Sequence, residues 1–155
     1  MHRVAARALG LGAVAGLRSM AAPAALSRAV ERGDVGGLDG TPFAALGSPG
    51  VSIAMRMLEI GEFVGDKLPV APSRTSPPPL LGRAASGAFV GSALFVSKER
   101  RAVTGGVLGA VSALMGAYAA ERLRIRIAEK LGMPDPVVAL LEDGTVLFGA
   151  ARLLR

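Results

Sequence analysis

The chain has 155 residues, is 51% hydrophobic and only 19% charged, and its mean hydropathy of +0.46 is too high for an ordinary soluble domain of this length. Twenty-one glycines, five Phe, one Tyr and no Trp leave few large groups for a water-soluble core, whereas small residues let helix backbones approach closely in lipid. The net charge of +6 does not signal nucleic acid, because the basic residues lie singly or in short clusters without interleaved aromatics, and the lack of Cys removes disulfides, thiolate catalysis and zinc-finger chemistry.

The N-terminal stretch MHRVAARALGLGAVAGLRSMAAPAAL has a basic start, an apolar run and small residues around Ala22–Ala25, the outline of a signal peptide. Arg18 interrupts the run, which favours an uncleaved helix. Ala8–Val30 as one helix is about 34 Å long, enough to cross a bilayer with Arg18 near its middle and Pro23 as a kink. Glu31–Pro49, rich in Gly, Asp and Pro, has no helical period and reads as a loop.

Val51–Leu68 is the one helix in which charge concentrates. Glu59, Glu62 and Asp66 at i, i+3 and i+7 share a stripe, with Arg56 beside them. Met57, Leu58, Ile60, Val64 and Leu68 fall on the other side, and Pro69 ends the helix. Such acids are tolerable in a membrane only against protein or a wet cavity, so a re-entrant helix is an alternative to a full span.

Val70–Pro79 is a proline-rich extended connector, too short and too constrained to read as an SH3-type ligand. Leu80–Ser97 follows as a helix with Gly87-xxx-Gly91 and Ala84-xxx-Ala88, the small-xxx-small pattern of packed membrane helices, and Arg83 one turn in can snorkel to the interface. Lys98–Arg101 is a polar turn. Ala102–Ala120 is uncharged throughout, the clearest transmembrane signal, and carries Gly105-xxx-Gly109. Glu121–Leu131 is basic and amphipathic, suited to the membrane interface, and Gly132 and Pro134 break it. A last helix starts at Pro134 or Asp135 and places Glu142 and Asp143 inside an apolar run.

Leu11-Gly12-Ala13-Val14 recurs as Leu108-Gly109-Ala110-Val111, and Leu58-Glu59-x-Gly61 recurs as Leu141-Glu142-x-Gly144. Residues 1–69 and 102–155 read as repeat halves joined by a helix over residues 80–97, within a single membrane domain over residues 1–155. An odd helix between two-helix halves would invert the second half, and inverted repeats place polar sites at the bilayer midplane. The signal is short and drawn from common residues, so coincidence stands beside duplication.

Gly16-Leu17-Arg18-Ser19-Met20 followed by Pro23, then Glu62-x-x-x-Asp66-Lys67-Leu68-Pro69, then Pro134 to the Glu142-Asp143 pair, together span nearly the whole chain. On these motifs the sequence resembles a family of small bacterial integral membrane proteins known as domain of unknown function 4126. The resemblance implies a multi-spanning protein with a glycine-rich helical core, and it implies no established activity and no cofactor. The connector after Pro69, rich in Pro and Ser, departs from longer members.

Gly10-x-Gly12-x-x-x-Gly16 superficially matches a dinucleotide loop, but no strand precedes it, and helix packing is the better reading. The single His2 precludes a histidine triad or a His-rich metal site. The expected fold is all-α, a bundle of four or five membrane helices in a bacterial inner membrane. Its polar cluster is Arg18, Glu59, Glu62, Asp66, Lys67, Glu142 and Asp143. Two roles fit that cluster. Carboxylates can bind a cation or relay protons in a small-solute or ion carrier. Alternatively Arg18, Arg56 and Lys67 neutralise the acids as ion pairs in a non-enzymatic scaffold. The expected partners are the lipid bilayer, further copies of the chain and a small solute or ion, with no cofactor, metal or nucleic acid. An enzyme is the least favoured reading, because no nucleophile and base can be named.

Overall fold

A computed structural model describes residues 2–65, 76–131, 144, 146 and 148–154, with side chains in the fifth helix described to residue 127. Every regular element among them is helical: α1 (His2–Leu17), α2 (Ala21–Glu31), a 3-10 turn (Pro42–Gly47), α3 (Pro49–Gly65), α4 (Pro77–Val96) and α5 (Ala102–Leu131). Residues 148–154 are helical as well.

The centre of the molecule is a three-helix packing of α1, α4 and α5. α4 and α5 run antiparallel, because a Cβ on Gly87 would strike the backbone of Gly109 and one on Gly91 the backbone of Gly105. α1 runs parallel to α5, with Gly12 against Gly109 and Gly16 against Ala113. Each pair meets backbone to backbone, which only residues lacking bulk permit, so dispersion contacts replace large interdigitating side chains. Ala8, Leu11, Ala15, Val90, Ala93 and Ala113 form the middle of this core, and Val146, Ala150 and Leu154 close one side of it.

The first expected span is not one helix. α1 stops at Leu17, and α2 starts at Ala21 and folds back. Asp34 and Val35, just after α2, line the same pocket as His2, Arg3 and Arg7 at the start of α1. Pro23 is not a kink but the third residue of α2, in the first turn where its missing N–H leaves no helical bond unmade. The expected loop Glu31–Pro49 contains the tail of α2 and a 3-10 turn capped by Thr41, whose hydroxyl accepts from the Phe43 N–H at 3.3 Å. Gly37 in that loop has φ +81° and lies against the Ser97 carbonyl, so both its conformation and its surroundings demand glycine.

α3 begins two residues earlier than expected, at Pro49, and the connector yields Pro77–Pro79 to the first turn of α4, where proline is well tolerated. The apolar segment and the basic amphipathic segment after the Lys98–Arg101 turn form one continuous helix, α5, about 45 Å long. Among the described residues, two helices are long and apolar enough to cross a membrane, Pro77–Val96 and Ala102–Ile127. α1 and α3, at 16 and 17 residues, fall short of the roughly 20 residues that a full span needs. The described helices therefore supply two candidate spans, with α1, α2 and α3 each too short to be a third, and most of the last expected helix lies outside the described residues.

The two Leu-Gly-Ala-Val copies face one another on α1 and α5. Because these helices run in the same direction, an axis relating them lies along the bundle, whereas inversion requires an axis across it. The second half of the proposed repeat extends into residues outside those described.

Outside the apolar core, two helices turn apolar faces outward while a few charged side chains turn inward. Val103, Val107, Val111, Met115 and Tyr118 form an exposed stripe along α5, and Ile53, Met57, Ile60 and Val64 form another along α3. Meanwhile Arg18, Glu59 and Arg83 are at most 5% exposed. A soluble chain of this size would place such residues the other way round. Arg83 thus turns into the protein instead of reaching outward as expected.

Candidate functional site

The break between α1 and α2 is where the ionisable residues gather. Arg18 still donates its N–H to the Val14 carbonyl at 2.9 Å, closing α1. Ser19 and Met20 then turn the chain, and no side chain of α2 caps its own start. The cap comes from α3. Glu62 Oε1 accepts from the Ser19 N–H at 2.8 Å and from the Ser19 hydroxyl at 2.7 Å, while Oε2 accepts from the Met20 N–H at 2.8 Å. A carboxylate in this position satisfies backbone donors that the break leaves open and meets the positive end of the α2 dipole.

The depth of this junction is set by its neighbours. The Ser86 hydroxyl, midway along α4, donates to the Ser19 carbonyl. Gly16 packs on Ala113 and Ala117, near the middle of Ala102–Ile127. The α1–α2 tip therefore lies level with the midpoints of both candidate spans. Arg18, expected in the middle of one long helix, lies instead in the turn where that helix is broken. Arg18 is 1% exposed, and its guanidinium carbon lies 4.0 Å from the centroid of the Phe63 ring, a cation–π geometry.

One turn back along α3, Glu59 faces the side of α2. Its Oε2 takes the Arg28 Nη1 at 2.9 Å, and its Oε1 is buried without a hydrogen-bond partner. Arg56, a further turn back, and Ser52, a turn beyond it, meet on Glu31: Ser52 donates to Glu31 Oε2 at 2.6 Å, and Arg56 Nη2 reaches the same oxygen at 3.0 Å. α2 and α3 are thus joined by a ladder of three polar contacts, at Glu62, Glu59 and Ser52–Arg56. Arg56 neutralises Glu31 rather than its neighbours on α3.

Of the seven residues expected to form the polar cluster, the structure brings Arg18, Glu59 and Glu62 to this junction. Asp66, Lys67, Glu142 and Asp143 lie outside the described residues. Sequence reasoning missed Ser19, Arg28, Phe63 and Ser86 as members of the site. One signal was available for the break, since Ser-Met followed by Ala-Ala-Pro is a helix-start pattern with proline in the first turn. The partner carboxylate, 43 residues away from Ser19, carries no local signal. Among the described residues no group of three metal-ligating side chains occurs.

No curated protein and no solved structure matches the chain. A family model does, over residues 5–154, so both the Arg18-Ser19-Met20 turn and the α3 carboxylate that caps it lie within the matched region. The chain belongs to the family described as Domain of unknown function (DUF4126).

Proposed function

We propose that the protein is an integral membrane carrier of a small solute or ion, not an enzyme, with the α1–α2 tip as its moving part and Glu59 and Glu62 as its exchangeable charges. The observation that carries this reading is a helix broken level with the midpoints of two candidate spans, with its new N-terminus held by the half-buried carboxylate of Glu62. Non-helical backbone at membrane depth is tolerated where it lines a cavity or is buried in protein, and secondary transporters use broken helices in this way. Release of Glu62, by protonation or by an anionic solute taking its place, frees the Ser19 and Met20 donors and lets the tip move. Proton coupling follows from the same exchange. The membrane is a bacterial inner membrane in this proposal.

The test is solute or proton flux in reconstituted vesicles, comparing the native chain with Glu62→Gln and Glu59→Gln. Flux lost in the variants at unchanged protein recovery supports a carrier. A second reading is favoured by the saturation of Glu62, whose two oxygens accept three bonds. On that reading the charges only fix helix packing in a membrane scaffold. It predicts that the same substitutions lower the melting temperature and that the native protein gives no flux above empty vesicles. Because the chain has no native Cys, single cysteines along Val51–Gly65 add a direct probe of water access. Labelling at positions 59 and 62 by a membrane-impermeant thiol reagent indicates a wet centre, and protection there indicates a sealed one.

A further inference from the structure

At the end of the bundle opposite the Glu62 cap, three segments of chain converge on a pocket of about 630 Å³. α1 contributes His2, Arg3 and Arg7, and the turn after α4 contributes Lys98 and Arg100. The segment after α2 supplies Asp34, the single acid of the lining. That acid is engaged by Arg32 at 3.2 Å. Among the described residues Arg3, Arg7, Lys98 and Arg100 make no ion pair. Four cations around one cavity with a single acid leave an excess of positive charge that an anion complements, although solvent screens the exposed Arg3, Lys98 and Arg100 and leaves Arg7, half-buried, the least screened. The floor of the pocket is apolar, with Val4, Val35 and Leu94. Its volume fits a whole small molecule rather than a bare ion.

We infer that this pocket binds a phosphate-bearing group with a short apolar stem, the chemistry of an anionic phospholipid headgroup. Arginine favours planar, bidentate capture of phosphate oxygens, and the apolar floor takes the carbon atoms next to the phosphoester. The position agrees with this source, because the Lys98–Arg101 turn closes the α4–α5 pair at the end of both candidate spans. Basic pockets between membrane helices at such an end meet a phospholipid headgroup layer. The inference rests on the membrane reading only for the lipid source; phosphate recognition by the pocket stands without it.

The experiment uses the full chain purified in a neutral detergent and titrated with fluorescently labelled phosphatidylglycerol, with phosphatidylcholine for comparison and with glycerol 3-phosphate as a soluble competitor. Arg7→Gln together with Arg100→Gln should weaken phosphatidylglycerol binding about thirtyfold, the equivalent of about 1 kcal/mol for each charge removed. Arg122→Gln with Arg126→Gln, exposed positions on the far part of α5, removes the same charge elsewhere and should leave binding within about twofold. Arg7→Lys with Arg100→Lys should recover part of the loss, which separates loss of charge from loss of fold. Competition by glycerol 3-phosphate at concentrations comparable to the lipid assigns the pocket to a soluble phosphate ester, and failure to compete assigns it to lipid. Equal weakening in the pocket and control pairs, or no preference for phosphatidylglycerol over phosphatidylcholine combined with no glycerol 3-phosphate binding, overturns the inference. An alkaline wash of cell membranes is read separately: release of the chain defeats the membrane reading, and the glycerol 3-phosphate arm then tests the pocket alone.

Discussion

The α4–α5 hairpin and the α2–α3 pair hold their helices together by opposite means. In the hairpin, Gly87, Gly91, Gly105 and Gly109 remove side chains until the backbones touch. In the α2–α3 pair, a Cβ added to Gly61 or Gly65 would meet no described atom within 4 Å, and the two helices are joined by Glu62 on the Ser19–Met20 turn, by Glu59 on Arg28 and by Ser52 and Arg56 on Glu31. The first kind of contact works equally in any apolar surroundings, has one geometry and cannot be undone without separating the helices. The second kind depends on charge and donors, and each link can be exchanged for another ligand or for water. In the proposed carrier the moving part therefore lies in the second region and the rigid support in the first.

The largest effect should come from filling the hairpin. Gly109 is where α1, α4 and α5 meet, with Gly12 and Gly87 both packed on its carbonyl. Gly109→Leu has no rotamer that avoids neighbouring backbone, and the expected loss exceeds about 3 kcal/mol, the upper range for overpacking. The chain should fail to give a cooperative melt in detergent. A normal melting temperature for this variant would show that the hairpin does not pack as described.

Next is the cap. Glu62→Ala leaves two backbone donors and the Ser19 hydroxyl without their acceptor, and bonds to a charged acceptor contribute more than neutral ones. The expected cost is about 3 kcal/mol, read as a lower melting temperature, with Glu62→Gln near half of that because one amide oxygen still accepts. A loss below about 0.5 kcal/mol for Glu62→Ala would mean that water serves the turn as well as the carboxylate does.

The contrast also explains what was legible in the sequence. Gly87-xxx-Gly91 and Gly105-xxx-Gly109 announce a contact because the signal and the contact are the same atoms. The spacing of Glu59 and Glu62 likewise shows a polar stripe, since helical periodicity is local. Neither signal names a partner. The Glu62 cap joins residues 42 and 43 positions apart, so the local Ser-Met-Ala-Ala-Pro pattern can mark the break at Arg18 but not the carboxylate that caps it. For the same reason the position of Arg83 one turn into a helix lets it snorkel to the interface, while the structure buries it at 3% exposure. A long cation in lipid has both outcomes open, and only the neighbouring helices choose.

The Arg28–Glu59 pair gives a smaller and more diagnostic effect. Arg28→Met alone leaves a carboxylate that is 7% exposed without its cation. Breaking a buried pair costs about 3–5 kcal/mol, but Arg28 keeps 28% of its side chain exposed, and solvent screening reduces the expected loss to about 2 kcal/mol. Adding Glu59→Leu should restore most of that loss, because two apolar side chains suit the site without desolvating a charge. If the double variant is stable and still moves solute in vesicles, Glu59 is structural and the exchangeable charge is Glu62 alone.

The smallest expected effect has the opposite sign. Gly61 lies inside α3, is exposed, and would bring an added Cβ within 4 Å of nothing. Glycine in a helix interior costs about 0.5–1 kcal/mol relative to alanine, chiefly through the freedom it retains when unfolded. Gly61→Ala should therefore raise the melting temperature by about 2 °C, whereas Gly109→Ala, the same chemical change in the hairpin, should lower it. Because Gly61 stands between the exposed Ile60 and the Glu62 cap, its response also reports on what covers α3 from outside. Lipid accommodates a methyl group without loss. A drop in melting temperature for Gly61→Ala, with Gly50→Ala unchanged, would place a second protein surface against α3 and turn its apolar stripe from a lipid face into an interface between copies.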